Sequence, residues 1–198
     1  MPLVRRVSTF VLLTIGLAVA ANAQTDKTFP NDDEIKLVLT QTERTMQQYK
    51  PLIDQEENLM GKDAADAAAN DRRVVAALEK AVKAFKQQPQ GFNGPLGFAF
   101  FEWLDDASRN AALCGNGASM QAVLAIMKGK PEKADSLLRL AQSCMDMSEL
   151  IYTISENAGA LYLRYVEAEN ELAIRATQTA EQCADALKNN CVPAKRGH

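Results

Sequence analysis

Any chemistry in this chain has to manage without an internal histidine, because the only one is His198, the last residue. That count excludes serine or cysteine nucleophiles paired with imidazole, histidine zinc sites, and the Glu-x-x-His pairs of di-iron bundles. No Cys-x-x-Cys-His run is present for haem attachment, and Gly115 and Gly117 lack the third glycine, the lysine and the preceding strand of a phosphate loop. Paired carboxylates remain. Glu102 and Asp106 stand one helical turn apart with Asp105 beside them, and a hydrolase built on such a pair needs one carboxyl in apolar surroundings, for which Phe101 and Trp103 are neighbours. The competing reading is a solvated face on which Asp105 pairs with Arg109 one turn on. Glu167, Glu169 and Glu171 alternate, so on a helix they point apart and do not converge on calcium. Asp32, Asp33 and Glu34 lack the glycine-centred spacing of a calcium loop and suit the positive end of a helix. No metal site and no cofactor is expected.

The candidate binding residues are Phe92, Phe98, Phe101 and Trp103, the chain's one tryptophan. They follow or sit within the sharpest change in composition, residues 89–97, where Pro89, Gly91, Gly94, Pro95 and Gly97 disfavour both helix and central strand. Aromatic anchors dominate partner surfaces and ligand pockets, so this cluster is read as a contact surface for a protein partner or a small apolar ligand. The alternative is a loop that plugs a bundle with its own rings.

The elements that position these residues are helical. Apolar or small residues recur at Leu137, Leu140, Cys144, Met147, Ile151 and Ile154, then at Ala158, Leu161, Tyr165, Ala168, Leu172, Ala176, Thr179, Cys183 and Ala186, in steps of three and four. The stripe keeps its phase across Gly159, which favours one long helix over residues 132–188, kinked or broken near Gly159 if compactness prevails. Earlier, Ile35, Leu39, Thr42, Met46, Tyr49 and Ile53 mark an inward stripe ending near Gly61, with Pro51 inside it. Val75, Leu78, Val82 and Phe85 mark a second, over residues 64–88. A helix over residues 98–114 is expected to stop at Gly115, Asn116 and Gly117, and a shorter one to Lys128 presents Met120, Val123, Leu124 and Met127 as its apolar face. Gly129, Lys130 and Pro131 then turn the chain into the long stretch. The fold class is therefore all-α, an antiparallel helical bundle of five or six helices with a long C-terminal helix.

Two short resemblances fit that class. Gly129, Pro131, Glu132, Ala134, Leu138 and Ala141 resemble the turn and second helix of a tetratricopeptide unit. The first helix lacks that motif's large aromatic, Asp146 stands where proline is expected, and no second copy follows. Leu39, Thr40 and Glu43 resemble the Leu-Thr-x-x-Gln motif of small periplasmic helical chaperones, with glutamate in place of glutamine. No family is recognised over the whole chain.

Arg5 and Arg6, the apolar run 7–20, and the small-x-small triplet Ala21, Asn22, Ala23 read as a secretory signal over residues 1–23, leaving residues 24–198 as a single helical-bundle domain. The apolar run is too short to span a bilayer, which needs about 20 residues. The formal net charge is −3, and the leader carries two of the basic residues and none of the acidic ones, so the remainder is more acidic still. Such a balance, with no cluster of Lys and Arg, gives nucleic acid no footprint. In a periplasmic or secreted chain, four cysteines suggest two disulfides. With a turn at residues 129–131, Cys114 and Cys144 fall at one height on facing helices, leaving Cys183 with Cys191. The function expected is that of a non-enzymatic binding or scaffold protein of the cell envelope, homodimeric through whatever part of the long helix projects beyond its neighbours. The exported product is predicted to begin at Gln24; an intact mass that still includes residues 1–23 refutes the leader.

Overall fold

A computed structural model describes residues 29–190. The predicted leader, the stretch 24–28, and the tail with Cys191 and His198 lie outside the described residues, and so does the proposed Cys183–Cys191 bridge. Among the described residues the fold is all-α: α1 (Asp32–Met60), α2 (Lys62–Gln87), a short 3-10 helix η1 (Pro89–Asn93), α3 (Pro95–Met127) and α4 (Pro131–Asn190). Four long helices thus replace the five or six expected.

Each start and stop has a local cause. Asn31 accepts hydrogen bonds from the backbone N–H groups of Asp33 and Glu34, while Glu34 accepts from the Asn31 N–H, a reciprocal capping box that satisfies the exposed donors of α1. Pro95 occupies the first turn of α3, where a missing N–H is harmless. Gly129, with φ 68°, makes the turn between α3 and α4 that an L side chain would strain.

One expected break is absent, and the long helix expected across Gly159 is found. α3 runs through Gly115–Gly117 because α4 lies directly against it: a Cβ at Gly115 would come within 2.7 Å of the Met145 side chain and 3.1 Å of the Ala141 carbonyl oxygen. These glycines allow close approach instead of ending the helix. α4 is likewise continuous through Gly159, where a Cβ would stand 3.0 Å from the Phe101 ring. The glycine is a notch for that ring.

The core follows the predicted inward stripes of α1, α2 and the first part of α4. Leu39, Met46, Leu78, Phe85, Leu104 and Ile151 are all fully buried in one cluster. A second cluster, toward the α3–α4 turn, is small-residue-rich, above all on α3: Ala118, Ala122 and Ala125 pack with Ala134, Leu137, Leu140 and Ala141 of α4. Beside them Cys114 and Cys144 form the expected disulfide, with Cα atoms 6.0 Å apart. Ser108 and Ser148 clasp the same two helices, each hydroxyl donating to the other's backbone carbonyl, at 3.0 and 2.8 Å.

Two stripe assignments are corrected. On α3 the alanines turn inward, and Met120, Val123, Leu124 and Met127 face solvent. On α4 burial ends at Ala168; Leu172 is 53% exposed, and Ala176, Thr179 and Cys183 are exposed as well, because α4 projects past the other helices. Replacing both Cys114 and Cys144 by serine is expected to lower unfolding free energy by about 2–4 kcal/mol, the range for releasing a loop of this kind in the unfolded chain. Denaturant titration of oxidised and reduced protein measures it, and equal midpoints would show that the bond does not stabilise the hairpin.

Candidate functional site

The segment leading into α3 is shaped by Gly97. A Cβ there would fall 1.8 Å from the Phe92 carbonyl oxygen, so η1 folds back tightly onto the first turn of α3. That fold-back drives Phe92 inward, with its ring centroid 5.3 Å from Phe85 and 5.9 Å from Phe100 in edge-to-face contacts. Phe92 has no exposed surface and is a core residue, not part of a contact surface. The loop does plug the bundle with its own ring.

The remaining three predicted contact residues also separate. Phe101 and Trp103 are two positions apart on a helix and therefore point to nearly opposite sides. Trp103 is half-buried against the main core. Phe98 and Phe101 stay together, their centroids 6.5 Å apart, and Phe98 reaches Tyr162 of α4 at 5.7 Å. From Tyr162 the series continues to Tyr165 at 6.3 Å and from there to Phe29, ahead of α1, at 5.9 Å. Five rings thus form a strip from the start of α3 across α4 to the entry of α1. Phe29 and Phe98 are exposed, and Phe101, Tyr162 and Tyr165 are half-buried. The Tyr165 hydroxyl hydrogen-bonds Glu169, and that bond, with burial as a smaller cause, pushes its pKa up to about 12. It stays a neutral donor at physiological pH. Tyr165 was legible only as a member of the apolar stripe of α4.

Alongside the strip, on the other flank of α4, Leu37, Val38, Gln41, Ala160 and Leu161 line a groove of about 300 Å³ between α1 and α4. Arg164 closes one edge through an ion pair with Glu34, Nη1 to Oε1 2.7 Å. Burial alone would raise Glu34, but the hydrogen bonds from Arg164 and the Asn31 N–H outweigh it and hold the carboxyl below its ordinary range.

Glu102 and Asp106 stand in water. Glu102 is exposed, and Asp106 is 52% exposed with Arg109 Nη2 at 3.6 Å. Asp105 pairs with the same Arg109. Neither carboxyl of the proposed pair has the apolar surroundings that would separate an acid from a base.

The carboxyls that are buried were not singled out from sequence. Glu56 of α1 and Asp71 of α2 are 4% and 2% exposed. Tyr49 donates a 2.8 Å hydrogen bond to Asp71 Oδ2. Burial, and then the charge of Asp71, raise Glu56 to about 7. Burial raises Asp71 too, offset in part by the Tyr49 hydroxyl and by the amide of Asn110, whose Nδ2 stops short of a well-formed bond. Burial and the adjacent carboxylate push the Tyr49 phenol upward. Ile53 and Val75, each about one turn away on the same helices, are buried as well, so the cluster is a polar joint within the core. Among the described residues no group of His, Cys, Asp and Glu is arranged to hold a metal, and no helix is long and apolar enough to cross a membrane.

No protein-family model, curated protein or solved structure matches the chain.

A carboxyl whose folded pKa is raised favours folding below its unfolded pKa and loses that advantage as pH climbs through the folded value. Stability is therefore predicted to rise as pH falls from about 8 to about 5, the window of the Glu56 shift. Below about 4 the lowered Glu34 acts in the opposite sense. Glu56→Gln should flatten the upper slope and add about 2 kcal/mol at pH 8, on the order of 1.4 kcal/mol per pKa unit discounted for relaxation. Thermal melts of both proteins at several pH values decide it; parallel curves would dismiss the cluster as the source.

Proposed function

We propose that this protein is an exported, non-enzymatic helical binding or scaffold protein of the cell envelope that meets a protein partner through the aromatic strip. The observation carrying this reading is the run of ring contacts from Phe98 through Tyr162 and Tyr165 to Phe29, displayed on the outside of a helical frame. Tyrosine and phenylalanine supply large contact area at little entropic cost, and tyrosine adds a polar handle, which is why such rings anchor partner surfaces. Export is supported by the leader-like start of the sequence and by the Cys114–Cys144 bond, which suits an oxidising compartment. The non-enzymatic part is supported by the placement of the carboxyls: the paired ones are solvated and the buried ones are enclosed by core.

A carrier for a small apolar ligand is the second reading, supported by the groove between α1 and α4 with its apolar floor and its Glu34–Arg164 edge. The two readings use opposite flanks of α4. Phe98→Ala with Tyr162→Ala should reduce capture of envelope partners at least about tenfold, as loss of hot-spot rings does, and leave the helical circular dichroism unchanged. If both proteins recover the same partners equally while Leu161→Gln alone abolishes uptake of an apolar fluorophore, the groove and not the strip is the site.

A further inference from the structure

The outer face of α3 beyond Arg109 carries no charge. From Asn110 to Met127 there is no charged residue, although the same face carries Glu102, Asp106 and Arg109 one or two turns earlier. A helix without charge on any side is ordinarily covered on all sides. Here the side toward α4 is filled by alanines, and the opposite side presents Leu113, Met120, Val123, Leu124 and Met127, with exposures from 42% at Leu124 to 78% at Met127. Leu113, Met120 and Met127 occupy successive heptad positions, and Val123 and Leu124 fill the turn between the last two, so together they form one ridge of the kind that seats against another helix.

We infer that this ridge is the homodimer interface of the protein, formed by the α3 helices of two copies packed antiparallel about a two-fold axis. Area is the first argument. With Ile126 on its flank, the ridge exposes roughly 700 Å² of side chain, above the few hundred Å² usual for a monomer patch and close to the ~800 Å² per partner of a stable complex. Self-complementarity is the second: a two-fold contact sets a patch against itself, and an uncharged apolar ridge meets that condition where a charged one does not.

Charge at the two ends fixes the direction. Lys128 and Lys130 lie at the C-terminal end of the ridge, and at its N-terminal end Glu102, Asp105 and Asp106 outnumber Arg109, which pairs with both aspartates. An antiparallel pair sets the lysines of each copy against the aspartates of the other, whereas a parallel pair stacks like on like. The projecting part of α4 is the weaker candidate. Among its described side chains the exposed large apolar ones are Leu172 and Ile174, set among Glu169, Arg175 and Glu181. The interface is also separate from the aromatic strip, so each stands or falls alone.

Sedimentation velocity on the full chain at about 10–100 µM, a range that detects micromolar association, should give twice the monomer mass. Met120→Glu, or independently Val123→Lys, should weaken the dimer about thirtyfold or more, as charge placed in the centre of an apolar interface does. Both positions are exposed in the monomer, so helical circular dichroism and the Cys114–Cys144 bond should be unchanged. Asp106→Lys should weaken association, and adding Lys130→Asp should restore it; the double variant remaining weak overturns the antiparallel arrangement. Phe98→Ala with Tyr162→Ala should leave the dimer intact. A monomer throughout this range overturns the proposal, as does a dimer indifferent to Met120→Glu. Flotation of a monomeric chain with phosphatidylethanolamine–phosphatidylglycerol vesicles, lost in Met120→Glu, would assign the ridge to a lipid surface and overturn it too.

Discussion

The structure depends on how closely α3 can lie against α4. α4 is a 60-residue helix, roughly 90 Å long at 1.5 Å per residue, and it has no stable compact form by itself. Its apolar stripe needs a cover, and α3 runs antiparallel along it from Phe101, seated at the notch of Gly159, to the disulfide and the alanine seam near the turn. Small side chains on both helices bring the backbones together, and the serine clasp and the sulfur bridge hold the register. α1 and α2 then complete the core on the remaining side of this hairpin, joined to it by the Glu34–Arg164 ion pair and by the buried rings of Phe85, Phe92 and Phe100.

A seam built from alanine and glycine has an effect on the opposite face. Where α3 spends its small residues inward, the bulky ones at Leu113, Met120 and Met127 are left outward, and the hydrophobic driving force is displaced from the interior to the surface. The polar residues are distributed in the reverse sense. Glu56 and Asp71 are held within apolar stripes, where only the Tyr49 hydroxyl and the Asn110 amide lie beside Asp71 to moderate its burial. The protein therefore keeps a charge-sensitive joint inside and an apolar ridge outside, while the aromatic strip occupies the seam where α3, α4 and the entry to α1 meet.

Much of this was legible because helical periodicity is a strong signal. The inward stripes of α1 and α2, the turn at Gly129 and the Cys114–Cys144 pairing followed from spacing alone. The glycines at 115, 117 and 159 were ambiguous for a physical reason: a glycine that ends a helix and one that admits a neighbouring side chain look alike in sequence, and only the positions of Met145, Met60 and Phe101 separate them. Size misled at Met120 and Val123, since apolar bulk predicts burial unless alanine already fills the inner face. Glu56 and Asp71 were within reach. Each continues its helix's apolar stripe in phase, Glu56 after Ile53 and Asp71 before Val75, and an acidic residue in that phase signals a buried carboxyl. The four aromatic residues do not share one surface, Phe92 being buried and Trp103 turned away from Phe98 and Phe101, because nearness along the chain is not nearness on a helix surface.

Beyond Ala168, most side chains of α4 are exposed through residue 185, Glu171 alone among them being half-buried, and the other described helices end short of most of this stretch. A helical stretch this exposed is held mainly by its own backbone bonds and by pairs such as Glu171 with Arg175. Its amides consequently open without disturbing the bundle, exchanging with deuterium orders of magnitude faster than those around Ile151. A protease can remove this spur while leaving the globular part folded, so the molecule has two tiers of persistence along a single uninterrupted helix.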